Sequence, residues 1–356
     1  MKLRYVFYAM LLFVPITLLA EGTLGATPSL VFLFACLAII PLAKFVGEAT
    51  EELAIHTGPK IGGLLNATLG NAAELIITIF AIREGLLDLV RASLVGSILG
   101  NLLLILGLSL LLGGLKNGTQ RFDRRTAALN ATLLILAMVA LVVPSLFDVA
   151  IQQDLAAELG LSESVAVIMI VLYGLYVFYG FRTQAEPDNI ATREAADVHT
   201  AKWSVQLSVG VLAGATIGIV FMSEALVGAV EVVSETLGLS EIFLGVILIP
   251  LIGNAAEHLV AVQVAYKNKM ELSLAVSLGS SLQIALFVAP VLVFISVLFG
   301  TPLLLVFNSF ELVALLAAGM LAAFIAQDGE SNWLEGTMLL GVYAILGIAF
   351  YFLPHG

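Results

Sequence analysis

Charge is scarce in this chain: Lys, Arg, Asp and Glu together make up 12% of 356 residues, against 60% hydrophobic residues. A soluble protein carries roughly 25% charged residues, so this chain cannot coat a water-facing surface, and a soluble multidomain reading is excluded. Segments of about ten residues alternating in polarity are missing as well, which excludes a transmembrane β-barrel. Stretches such as 92–112 and 275–299 are instead apolar on nearly every side. Cysteine occurs once, as Cys36, so no intramolecular disulfide can form and a soft-metal site lacks ligands. Neither a His-Glu-x-x-His helix nor a G-x-x-x-x-G-K-[ST] phosphate loop is present, which disfavours an intramembrane metalloenzyme and ATP-driven pumping. The net charge of -11 argues against nucleic acid as a partner.

What remains is an all-α polytopic membrane protein. Eleven apolar stretches approach the roughly 20 residues that cross a bilayer as a helix. They lie near 5–20, 28–46, 62–82, 92–114, 126–147, 163–181, 203–230, 241–265, 272–299, 303–326 and 333–353. The first, preceded by Lys2 and Arg4, also has the shape of a signal-peptide core, although no clear small-x-small cleavage site follows it. With a cytoplasmic N-terminus, the inside segments hold 13 basic residues, from Lys2 to Lys269, and the outside segments only Arg83 and Arg91. Such a bias sets the orientation, and the C-terminus is then expected outside.

The chain repeats itself. Gly70-Asn71-Ala72-Ala73-Glu74 recurs as Gly253-Asn254-Ala255-Ala256-Glu257, an offset of 183 residues, and at that offset Gly96 and Ser97 match Gly279 and Ser280. The repeated segment falls on the third and the eighth span, five crossings apart, so the two halves have opposite orientation. Inverted repeats with a midplane site are the architecture of many secondary transporters. The expected organisation is an extra N-terminal helix over 1–24, a first five-helix repeat over 25–182 and a second over 203–356. Between the repeats, the polar cytoplasmic segment 183–202 carries Glu186, Asp188, Glu194 and Asp197. It reads as a solvated linker or as a divalent-cation sensor.

Glu74 and Glu257 sit near the middle of their spans, where a bare carboxylate costs at least about 2–3 kcal/mol and marks a functional site. Helical spacing places Gly70, Asn71 and Glu74 on one face, and Gly253, Asn254 and Glu257 likewise. An in-plane pseudo-two-fold axis would bring two carboxylates, two amides and exposed glycine backbone together. That donor set suits a hard cation, calcium above all. Pro250 has no N–H and can leave a carbonyl free; the first half has Ala67 there. In the following helices Ser97 and Asn101 are four apart and Ser280 and Gln283 three apart, as supporting ligands or as small-residue packing. His258 points about 100° away from Glu257, as a hydrogen-bond partner, a proton sensor or a plain buried histidine. Glu48, Glu52, Glu231 and Glu235 lie near helix ends, as a possible cation funnel or as solvated ends.

The two Gly-Asn-Ala-Ala-Glu segments, followed by Gly-Ser-Ile-Leu-Gly-Asn in the first half and Gly-Ser-Ser-Leu-Gln in the second, resemble the α-repeats of the calcium/cation antiporter superfamily. Within it the chain is similar to the cation/proton exchangers of microbial membranes and of fungal and plant vacuoles. The resemblance implies a calcium/proton antiporter of a prokaryotic cell membrane, a carrier and not an enzyme, with calcium as cargo and no resident cofactor. It implies ion binding and proton exchange at Glu74 and Glu257, and supporting roles for Asn71, Asn254, Ser97, Ser280 and Gln283; a histidine at the position of His258 is also a family feature. Sodium/calcium exchange and manganese/proton exchange are the alternatives, with a channel as a third class. Against sodium, no proline precedes either glutamate and no acid lies in the following helices; the position matching Asn101 is Ile284. Nothing in the sequence fixes an oligomeric state.

Overall fold

The computed structural model describes residues 2–22, 25–151, 154–183 and 201–353. Its helices, in chain order, are α1 Lys2–Met10, α2 Phe13–Gly22, α3 Pro28–Leu69, α4 Ala72–Arg83, α5 Leu87–Leu99, α6 Leu106–Asn117, α7 Arg124–Ile151, α8 Leu155–Thr183, α9 Val205–Gly228, α10 Val230–Leu237, α11 Glu241–Phe243, α12 Ile249–Gly253, α13 Ala255–Tyr266, α14 Met270–Gln283, α15 Ala289–Phe299, α16 Ser309–Asp328 and α17 Trp333–Tyr351. Three wider π-helical segments, Gly100–Ile105, Leu244–Leu248 and Ile284–Val288, join α5 to α6, α11 to α12 and α14 to α15. The chain is an integral membrane protein: among the described residues eight helices are long and apolar enough to cross a bilayer, and a ninth span is added if α10 and the bent helix after it count as one.

The eleven expected spans differ from this tally for physical reasons. Segment 5–20 is a shorter apolar helix. The expected spans 62–82 and 241–265 are each interrupted near the middle. The expected span 303–326 begins only at Ser309, because Asn308 and Glu311 form a reciprocal capping box that starts the helix there. Residues 303–308 are non-helical, and side chains satisfy alternate backbone N–H groups along them. The N–H groups of Leu303, Leu305 and Phe307 donate to the hydroxyls of Ser296 (2.7 Å), Ser162 (3.1 Å) and Ser145 (2.8 Å).

The chain divides into two compact units. One holds residues 1–80, 173–239 and 252–256. Its spine is α3, which at 42 residues exceeds a bilayer; Gly58, at φ 82, breaks it in a backbone region that glycine enters freely. α9 packs along α3, with Gly218 receiving Leu42: a methyl on Gly218 would stand 2.9 Å from it.

The other unit holds residues 81–172, 240–251 and 257–356. Glycine sets its closest helix crossings. A Cβ on Gly96 would fall 2.1 Å from the Val246 carbonyl oxygen, and one on Gly336 would fall 2.3 Å from Leu111 N, so backbones touch at both places. The loops of this unit also sort by side. Strand β1 (Gln120–Arg121) pairs antiparallel with β2 (Glu330–Ser331), while Lys116 Nζ donates to Tyr266 O at 3.1 Å and Gln120 Nε2 to Ala265 O at 2.9 Å. The loops after α6, α13 and α16 therefore share one face. Elsewhere Thr301 Oγ1 donates to Ile82 O at 3.1 Å, joining the last turn of α4 to the loop after α15.

Candidate functional site

Both Gly-Asn-Ala-Ala-Glu segments fall where a helix is interrupted. α3 ends at Leu69 and α4 begins at Ala72; α12 ends at Gly253 and α13 begins at Ala255. Glycine is the poorest helix former after proline, and the Asn71 carbonyl starts the next half-helix by accepting from Leu75 N at 3.0 Å. Glu74 and Glu257 each lie in the first turn of the half-helix that follows. There the positive end of the helix dipole favours an ionised carboxylate by about 0.3–1 kcal/mol. A broken helix leaves main-chain groups without helical partners, and discontinuous transporter helices use such groups to coordinate ions.

In the first unit the two motifs touch. Glu74 is buried, with 4% of its surface exposed, and so are Asn71 and Asn254. A Cβ built on Gly253 would stand 3.2 Å from Glu74 Cγ and 3.8 Å from its Oε1, so the first carboxylate rests on the glycine of the second motif. Gly70 is half-buried and donates its N–H to Asn66 O at 2.9 Å.

In the second unit a directed polar chain ends on the other carboxylate. Asn101 Nδ2 donates to Ser280 Oγ at 3.1 Å, and Ser280 is hydrogen bonded to the Glu257 carboxylate. Glu257 Oε2 is fully buried with no hydrogen-bond partner among the described residues. Ser97 and Gln283 are buried near the ends of α5 and α14. Sequence spacing pairs Ser97 with Asn101 and Ser280 with Gln283 along each helix; the structure adds a pairing between helices, 179 residues apart. No local pattern announces it, nor the π turns that follow Leu99 and Gln283, although such turns recur at functional sites. His258 is buried, and its Nε2 has no partner among the described residues.

The four outlying glutamates stand elsewhere. Glu48 pairs with Lys44 one turn away. Glu52 accepts the backbone N–H of Lys202 at 2.8 Å and of Trp203 at 3.1 Å, while His56 Nε2 lies 2.7 Å from Trp203 O. Glu231 and Glu235 are exposed on α10. Residues 184–200 of the polar segment lie outside the described residues.

Comparison with known proteins identifies the family. The family model described as sodium/calcium exchanger protein matches residues 27–182 and again 207–352. A Ca(2+)/H(+) antiporter of Aphanothece halophytica is 45% identical over 98% of this chain and 97% of its own length. The Ca(2+)/H(+) antiporter ChaA of Bacillus subtilis is 47% identical over 93% of this chain and 95% of its own. The solved structure of native YfkE superposes with a TM-score of 0.86 at 42% identity, covering 98% of this chain and all of that one. The chain belongs to the sodium/calcium exchanger family, in its cation/proton exchanger branch.

Proposed function

We propose that this protein is a calcium/proton antiporter in which Glu74 and Glu257 carry the cargo in turn as calcium carboxylates and as carboxylic acids. The observation that carries this reading is the repeated motif at two helix interruptions, each with its glutamate in the first turn of the half-helix that follows. Relatives named Ca(2+)/H(+) antiporters over nearly the whole chain support it.

Charge accounts for the coupling. Two ionised carboxylates carry a charge of −2, which is expensive to occlude away from water, and burial favours their neutral forms. One calcium ion cancels that charge, and so do two protons. Only those loaded forms pass readily between inward-open and outward-open states, so each cargo displaces the other and at least two protons move per calcium. Asn71, Asn254 and the backbone of Gly70 and Gly253 supply neutral oxygens; Ser97, Asn101, Ser280, Gln283 and His258 shape their surroundings. Two inverted repeats, with the basic loops on the cytoplasmic side, complete the reading.

Proteoliposomes with an imposed pH gradient and no ATP test it. Calcium uptake with opposing proton movement is expected, abolished in Glu74→Gln and in Glu257→Gln. Uptake driven by a sodium gradient instead would make the protein a sodium/calcium exchanger. Transport retained in both variants would place the site elsewhere.

A further inference from the structure

We propose that Asn101 is a positioning residue for Glu257, acting through the hydroxyl of Ser280 and not as a ligand of the cation. The inference rests on the reading of Glu257 as a cargo-binding residue and deepens it.

The direction of the hydrogen bonds follows from what each group can do. An ionised carboxylate only accepts, so the single hydroxyl proton of Ser280 must point at Glu257. The Ser280 oxygen can then only accept from the Asn101 amide, which must offer its N–H; the 3.1 Å contact has that sense. The amide thus fixes the rotor of the hydroxyl, and the hydroxyl fixes one oxygen of the carboxylate. Glu257 Oε2, buried with no hydrogen-bond partner among the described residues, is left as the oxygen open to cargo.

Asn101 is itself enclosed by the fold. It lies in the π segment Gly100–Ile105 and is buried, with 2% of its surface exposed. At the repeat offset its counterpart is Ile284, whose side chain has no N–H to give. The amide that directs Ser280 is therefore not duplicated for Ser97 by the matching position. A carboxylate held in its binding rotamer before the cation arrives loses less conformational freedom on binding. Removing the support should therefore raise the calcium KM and spare the maximal rate.

The test is a double-mutant cycle on calcium uptake in proteoliposomes, using Asn101→Leu, Ser280→Ala and the pair, with thermal melting of each purified protein alongside. Hydrogen bonds to a charged group are worth about tenfold or more in an equilibrium and neutral ones about threefold to tenfold, so Ser280→Ala should raise the calcium KM about tenfold and Asn101→Leu severalfold. Because Asn101 acts only through Ser280, the pair should match Ser280→Ala within about twofold. Asn101→Gln, which keeps the donor, should recover part of the loss. If Asn101→Leu fails to fold, Asn101→Ala takes its place in the cycle. Multiplying effects in the pair, or a wild-type KM with only a lower melting temperature, would overturn the assignment. If Glu257→Gln transports normally, the reading of the site falls first; if Glu257→Gln is dead while the two effects multiply, only the positioning role falls.

Discussion

Glu74 of the first motif rests on Gly253 of the second, with room between them for less than a methyl group: a Cβ there would stand 3.2 Å from Glu74 Cγ. Gly253→Ala therefore pushes on a flexible stem, not on backbone, and the protein should fold. Alanine also favours helix over glycine by about 1 kcal/mol. We expect unchanged or slightly higher thermal stability with a several-fold higher calcium KM, and a larger effect for Gly253→Val. Calcium uptake titrations beside melting curves decide the point, and an unaltered KM in both variants would show that this contact does not shape the site.

Gly96 and Gly336 make the opposite case, because their neighbours are backbone. A Cβ at Gly96 meets the Val246 carbonyl at 2.1 Å, and one at Gly336 meets Gly107 O at 2.5 Å. Neither neighbour can swing away, so Gly96→Ala and Gly336→Ala should destabilise by about 1–3 kcal/mol or more. Gly341→Ala, with nothing within 4 Å, is the control and should melt at or above the wild-type temperature. Equal melting temperatures for all three would contradict the close crossings.

These contrasts show what the sequence can and cannot disclose. Glu74 and Glu257 stand out because ionised groups are rare inside apolar stretches and because a five-residue string recurs intact. The interruption beside each is hidden, since Gly70 and Gly253 lie in runs whose hydropathy continues on both sides. Residues 303–308 mislead in the same way: Leu303, Leu304, Leu305, Val306 and Phe307 look like the start of a span. Three of their backbone N–H groups are satisfied by Ser145, Ser162 and Ser296, two of them distant in sequence. The readable signal there is Asn308 followed three residues later by Glu311, a capping-box spacing. The Asn101 to Ser280 bond has no such signal, because it joins residues 179 apart.

Loop pairing makes topology measurable. The loops after α6, α13 and α16 are tied together through Gln120, Ala265 and Ser331. Cys36, the single cysteine, is buried, so the background for thiol labelling is low. In vesicles, Lys267→Cys and Glu330→Cys should react with an impermeant reagent from one side, and Glu84→Cys from the other. If the excess of basic residues faces the cytoplasm, the first two are cytoplasmic. Labelling of Lys267→Cys and Glu330→Cys from opposite sides would break the pairing.

Asp123, just before α7, gives an acid-sensitive contribution outside the spans. The Thr126 hydroxyl, above all, and the backbone N–H groups of Thr126 and Arg125 hold its carboxyl below the ordinary value of 3.8. A lowered folded-state value means that the ionised form stabilises the fold above the unfolded value, and that this support is lost as pH falls through the folded one. Thr126→Ala should therefore lower the melting temperature at pH 7 and flatten its decline below about pH 4. An identical decline in both proteins would remove Asp123 from the account.

Glu52 separates two roles that sequence position alone leaves equal. At a helix end it has the look of a cation funnel, yet its carboxylate accepts the N–H groups of Lys202 and Trp203, where the chain enters α9. A cap needs an acceptor oxygen, whereas a funnel needs charge. Glu52→Gln keeps the oxygen and discards the charge, so a capping Glu52 predicts near-wild-type calcium uptake and melting for Gln, with both reduced for Ala. The loss in Ala should be of the size of a capping bond, about 0.5–2 kcal/mol. A funnel predicts equal loss of uptake in Gln and Ala, most pronounced at low ionic strength, where attraction between exposed charges is least screened. The two bonds to main-chain N–H favour the first outcome, and uptake measured for both variants at low and at high salt distinguishes them.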